Sequence, residues 1–100
     1  MIDLSALAIE DFSPHVGKAF RLCADNGECQ VLLKETRDAK RYARNEQVRA
    51  PFSLLFAGPS GMSFQQGAYT LNREGLGEIP IFLVPVGIEE GAVQLEAVFN

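Results

Sequence analysis

Residues 18–36 read Lys18-Ala19-Phe20-Arg21-Leu22-Cys23-Ala24-Asp25-Asn26-Gly27-Glu28-Cys29-Gln30-Val31-Leu32-Leu33-Lys34-Glu35-Thr36. Apolar side chains alternate with other residues on both sides of Asn26-Gly27. That dipeptide is favoured in two-residue type I′ turns, because both central positions need positive φ. A turn closed there pairs Ala24 with Cys29, Leu22 with Val31 and Phe20 with Leu33 on one face. On the other face it pairs Cys23 with Gln30 and Arg21 with Leu32. One face is then almost purely apolar, the period-two pattern of a half-buried hairpin. The expected strands are residues 18–24 and 29–36. In this register the two cysteines point to opposite faces, so a disulfide would require rebuilt strands. Reduced thiols fit a cytoplasmic protein.

The alternation recurs along the chain. Phe52, Leu54 and Phe56 share a face in residues 52–57, and Tyr69 and Leu71 oppose Thr70 and Asn72 in residues 68–73. Residues 79–86 follow a Gly75/Gly77 turn, and Val93, Leu95, Ala97 and Phe99 share a face in residues 92–99. Gly58-Pro59-Ser60-Gly61 and residues 87–91 read as turns. Pro80 and Pro85, an odd number of positions apart, remove ladder bonds from opposite edges of their strand, as in a strand that bends or changes partner partway. That strand is apolar on both faces and is expected to lie deep. Ahead of the strands, residues 3–9 fit two helical turns with Leu4, Leu7 and Ala8 on one stripe. Ser13-Pro14 resembles an N-cap with proline at N1, and Gly17 stops the turn. Residues 38–48 are polar, a loop or a helical turn around 39–43.

About six strands with glycine turns and no long helix predict an all-β, mainly antiparallel fold. The expected architecture is a small bent-strand barrel or tight sandwich, Sm/SH3-like in character, with a short N-terminal helix. A chain of 100 residues is one domain, with residues 1–17 as the helical segment and 18–100 as strands. Its hydrophobic fraction of 47% and charged fraction of 22% are those of a globular chain rather than a disordered one. No apolar run approaches the ~18 residues of a membrane span, and the first dozen residues lack the basic start of a signal peptide.

The formal net charge of −4 is unevenly spread. Residues 34–50 hold six bases and three acids, net +3, and the remainder holds three bases and ten acids, net −7. An acidic body repels polyanions, so nucleic acid and membrane partners are disfavoured. The basic stretch is the local exception: Arg37, Lys40, Arg41, Tyr42, Arg44 and Arg49 combine charge with an aromatic ring, the ingredients of single-stranded nucleic-acid contact. The simpler reading of these six residues is a solvated loop. His15, the one histidine, fits a turn residue that orients the entry into the first strand better than a base or metal ligand, because no Cys-x-x-Cys or second His accompanies it. Cys29 reads as a small buried hydrophobe and Cys23 as an inert thiol near Arg21. Gly58-Pro59-Ser60-Gly61-Met62-Ser63 lacks the lysine of a phosphate loop, and Glu10-Asp11 and Glu89-Glu90 read as solvated turn acids. No catalytic residue, metal or cofactor is expected.

Four stretches taken together resemble a known family: Glu10-Asp11-Phe12-Ser13-Pro14-His15-Val16-Gly17, Arg49-Ala50-Pro51-Phe52-Ser53-Leu54-Leu55-Phe56, Ile81-Phe82-Leu83-Val84-Pro85-Val86-Gly87 and Glu96-Ala97-Val98-Phe99-Asn100. The likeness is to bacterial proteins of roughly this length catalogued as a domain of unknown function, with members encoded near phage-tail-collar-like proteins. It implies an accessory or structural role and carries no activity or site residue. The expected function is therefore a non-enzymatic interaction or structural module, with an Sm-like RNA binder using residues 37–49 as the alternative. A ligand pocket inside the barrel ranks lower, since eight strands usually supply that room. A protein partner or a second copy pairing with the C-terminal strand, residues 92–99, is one expectation, because no lysine, proline or glycine between Val93 and Phe99 guards the edge; the alternative is a barrel that closes on itself by pairing this strand with the first.

Overall fold

The structure, a computed structural model, describes residues 7–25, 27–38 and 51–99. Two short 3-10 turns, Ile9–Asp11 and Ser13–His15, precede six strands: β1 (Ala19–Ala24), β2 (Gly27–Asp38), β3 (Phe52–Ser60), β4 (Gly67–Arg73), β5 (Gly77–Glu89) and β6 (Ala92–Phe99). All pairings are antiparallel, and the strands close into a barrel in the order β1-β2-β3-β6-β5-β4, with β1 also paired to β4. The all-β barrel expected from the alternation is the fold observed.

Alternate residues of each strand fill the interior. Phe20, Leu22, Val31, Leu33, Leu54, Phe56, Leu71, Ile79, Ile81, Leu83, Leu95 and Ala97 are all buried. The two ends are sealed differently. At one end the 3-10 turns lay Phe12, wholly buried, on Phe52 and Phe99, with ring centroids 5.8 and 5.7 Å apart. Phe52 and Phe99 stack at 4.7 Å. At the other end Phe64, from the β3–β4 loop, packs so closely on Gly58 that a Cβ there would lie 2.7 Å from its ring.

Several details differ from the sequence reading. Leu7 and Ala8 are not helical, and Ala8 is extended at φ −134, ψ 165. The turn that follows is held by the Ala8 N–H donating to Asp11 Oδ2 at 2.8 Å. Ser13 lies inside the second turn rather than capping it, and its hydroxyl donates to the Ile9 carbonyl at 2.9 Å. Gly17, at φ +88, ends the segment, and its N–H donates to the Leu33 carbonyl at 2.8 Å. In the first hairpin Ala24 pairs with Gly27, Leu22 with Cys29 and Phe20 with Val31, a register two residues from the expected one. Gly27 therefore opens β2 at φ +140 instead of sitting at the turn centre. The faces survive this slide, and both thiols are free.

The C-terminal strand is not an edge. β6 pairs with β3 along its length and with β5 over residues 92–96, which removes the strand edge expected to receive a partner there. β5 does change partner partway, as its prolines indicate: residues 77–83 pair with β4 and residues 84–89 with β6, with a bulge between Pro85 and Gly87.

Candidate interaction site on the β5–β6 hairpin

A strand in the wall of a one-layered barrel has one face on the core and one on solvent. β5 is apolar on both. Its inward residues Ile79, Ile81 and Leu83 are buried, while Phe82 is 56% exposed and Val86 53%. Val98, on the outer side of β6, is 44% exposed. The expectation that this strand lies deep on both faces is thus corrected: nothing among the described residues covers its outer side. The bulge between Pro85 and Gly87 shifts the alternation by one residue, so Ile88 pairs with core-facing Val93 and lies on that side of the sheet, yet is 77% exposed at the distal end of the hairpin.

The surroundings are acidic. From Glu74 to Asn100 there are five glutamates and no Lys or Arg. Glu89 and Glu90 lie at the hairpin tip and Glu96 on β6. The turn joining the strands is Glu90-Gly91, with φ of +52 and +82, the positive pair that suits a tight hairpin. Lys34 of β2 reaches the Glu89 carboxylate at 3.7 Å, a solvent-exposed pair of small energetic weight.

Of the basic residues singled out in the sequence, Arg37 lies on β2 opposite Ser53, and its guanidinium is paired with Glu35. Lys40, Arg41, Tyr42, Arg44 and Arg49 lie outside the described residues. Two other polar clusters occur. Arg73 Nε donates to His15 Nδ1 at 2.9 Å, its Nη1 donates to the Ala19 carbonyl at 2.7 Å, and its guanidinium lies 5.6 Å from the Phe20 ring centroid. The acceptor role of Nδ1 leaves the ring proton on Nε2. Burial, then the charges of Arg73 and Lys18, hold the His15 pKa below its ordinary value. Next to this clasp is an open cleft of about 400 Å³ lined in part by Arg21, Glu28 and Arg73.

A larger cleft, about 920 Å³, separates the β1–β2 tip from the β3–β4 loop, and Cys23, Cys29, Met62 and Tyr69 line it. Burial first, and Cys23 second, push the Cys29 thiol pKa up, which keeps it protonated and unreactive. Cys23 donates weakly to Glu28 Oε2 at 3.5 Å. Among the described residues no three His, Cys, Asp or Glu side chains converge as metal ligands, and no helix is long and apolar enough to cross a membrane.

Residues 7–99 match the model of a family described as a domain of unknown function (DUF6916). The chain belongs to that family. No curated protein and no solved structure matches it. The DUF6916 match runs from the first described residue to the end of β6, so the barrel and both of its end seals fall within the family's span. It agrees with the resemblance to an uncharacterised family carried by the four sequence stretches.

The site residues missed in the sequence are Phe82, Val86, Ile88 and Val98. Ile88 and Val98 lie outside residues 79–86; for Phe82 and Val86 the signal is the second apolar face of that stretch. It was assigned to the interior because hydropathy alone does not distinguish a strand covered on both sides from one with an unshielded face.

Proposed function

We propose that this chain is a non-enzymatic interaction module whose contact surface is formed by the exposed apolar side chains of the β5–β6 hairpin. The observation that supports it is the exposure of Phe82, Val86, Ile88 and Val98 on one hairpin. Contiguous apolar patches on soluble domains mark contact sites. Covering these four partly exposed side chains is worth roughly 3–7 kcal/mol of gross stabilisation at the usual values for buried aliphatic and aromatic residues. An accessory place in a phage-tail-like assembly is the setting that the family resemblance supports. An RNA-binding barrel is the weaker reading, since Arg37 is already paired with Glu35.

Site-specific photo-cross-linking in cells tests the reading. A photoreactive residue at Ile88 is expected to give a discrete protein adduct, and the same residue at exposed Gln30 none. Phe82→Lys is expected to reduce the Ile88 adduct without changing the circular dichroism of the barrel. Equal adducts from both positions, or none from Ile88, would overturn the proposal.

A further inference from the structure

The apolar face by itself is a modest contact. Association costs about 4–15 kcal/mol in lost translational and rotational freedom, a range that overlaps the roughly 3–7 kcal/mol the four side chains supply and extends well beyond it. A stable complex therefore needs further contacts beside them, and the backbone of β5 has them. β4 begins at Gly67, opposite Leu83, so it does not extend alongside the distal half of β5. Residues 84–89 are paired to β6 on one edge, and on the other edge no strand is paired to them among the described residues. The N–H and C=O groups on such an edge are a template for an added strand. Exposed edges are ordinarily guarded by lysines or inward-pointing charges. Here the side chains beside the edge are Val86 and Ile88, and the guards are Pro85 and the bulge, which limit the length of an added strand rather than preventing it.

We infer that the free edge of residues 84–89 accepts a short extended segment of another protein, in which apolar residues alternate with Lys or Arg. The inference rests on the interaction reading above and specifies its partner. The apolar positions of the segment would cover Ile88, which shares a face with Val93, and its other positions would lie on the Glu89 side. Its bases would meet Glu90 and Glu89, the latter alongside Lys34 at 3.7 Å, in a stretch of 27 residues that holds five acids and no base. Charge selects against a second copy in this place. Two-fold pairing of β5 with itself would bring both acidic tips together on chains that each carry −4.

The test uses the full chain, labelled with ¹⁵N, and three short synthetic peptides: one alternating Lys with Val, one alternating Glu with Val, and the Lys-Val peptide N-methylated at every second residue. The Lys-Val peptide is expected to slow amide exchange in residues 84–89 and to shift resonances of Val86 and Ile88. The Glu-Val peptide should bind about tenfold more weakly or worse, and added salt should narrow the difference. N-methylation on the pairing edge should abolish the protection. Ile88→Lys, at a site too exposed to threaten folding, should weaken binding of the Lys-Val peptide by about tenfold or more. Equal binding of the Lys and Glu peptides would overturn the charge assignment, and undiminished binding of the methylated peptide would overturn strand addition. A two-chain mass with residues 84–89 protected in the absence of peptide would make the occupant a second copy and overturn the inference as stated. A specific Ile88 cross-link in cells, with no edge protection by any peptide, would leave the interaction reading standing and remove only this one.

Discussion

Arg73 joins three parts of the molecule through one side chain. It stands at the end of β4, donates to His15 in the N-terminal turn and to the Ala19 carbonyl at the start of β1, and covers Phe20. The guanidinium can do this because its donors are fixed in a planar fork and its face stacks on rings. Arg73→Met keeps most of the apolar stem and loses both hydrogen bonds. The expected loss, measured by urea unfolding at pH 7.5, is about 1–3 kcal/mol, the range for hydrogen bonds to a charged donor. Arg73→Lys should recover less than half of it. His15 adds a pH dependence whose sign follows from its lowered pKa. Because the folded pKa lies below the unfolded value of about 6.5, the unfolded chain binds more protons as pH falls through that region. The stability associated with a neutral His15 is therefore complete above pH about 6.5 and is lost as pH drops toward the folded pKa. His15→Gln retains an acceptor for Arg73 and does not titrate. The stability of wild type relative to His15→Gln should decrease between pH 7.5 and pH 5, and a constant difference would show that His15 is not the titrating group.

The β5–β6 hairpin closes on a left-handed residue that is not glycine. Glu90 sits at φ +52, a conformation that costs an ordinary L-residue about 1–2 kcal/mol and that Asn and Gly tolerate. Glu90→Asn is expected to raise the unfolding free energy by about 0.5–1 kcal/mol, with the hairpin otherwise unchanged. No gain in midpoint would mean that the carboxylate has a compensating role. The elements also show which information the sequence holds. In the first hairpin the alternation assigned every residue to its correct face but placed the register two residues away. A slide of two leaves the faces unchanged, so hydrophobic pattern cannot detect it, whereas a slide of one would invert them. The partner change within β5 was legible because proline removes a specific N–H from a specific edge. The place of β6 between β3 and β5 was not legible, since pairing between strands distant in sequence leaves no local signature. The candidate site was hidden for a related reason. Val86 and Ile88 are as apolar as Ile81 and Leu83, and only barrel closure decides which of them meet solvent. Charge, by contrast, is visible in any sequence, which is why the basic residues 37–49 stood out.

At the scale of the whole molecule, closure of the barrel depends on its plugs as well as its wall. Phe12 comes from outside the sheet, is completely buried, and touches Phe52 of β3 and Phe99 of β6. Phe12→Ala should cost about 3–5 kcal/mol, the usual range for deleting a buried ring. A cost below about 1 kcal/mol would show that the 3-10 turns lie on the barrel without stabilising it. The overall charge makes a second prediction at this scale. A polyanion approaching the chain meets a net charge of −4, and Arg37 arrives already paired with Glu35. Residues 34–50 supply +3 against −7 elsewhere, so attraction to the basic stretch is opposed by the body that carries it. In fluorescence anisotropy at low salt, oligo-U and oligo-A are expected to bind no more tightly than about 10⁻⁵ M, within the range of non-specific electrostatic contact. The decisive contrast is in the salt response. Submicromolar binding that weakens steeply with salt and is lost in Arg41→Ala and Arg44→Ala would mean that the local field prevails over the global one. The RNA-binding reading would then displace contact through the exposed apolar side chains of the β5–β6 hairpin as the main function of this barrel.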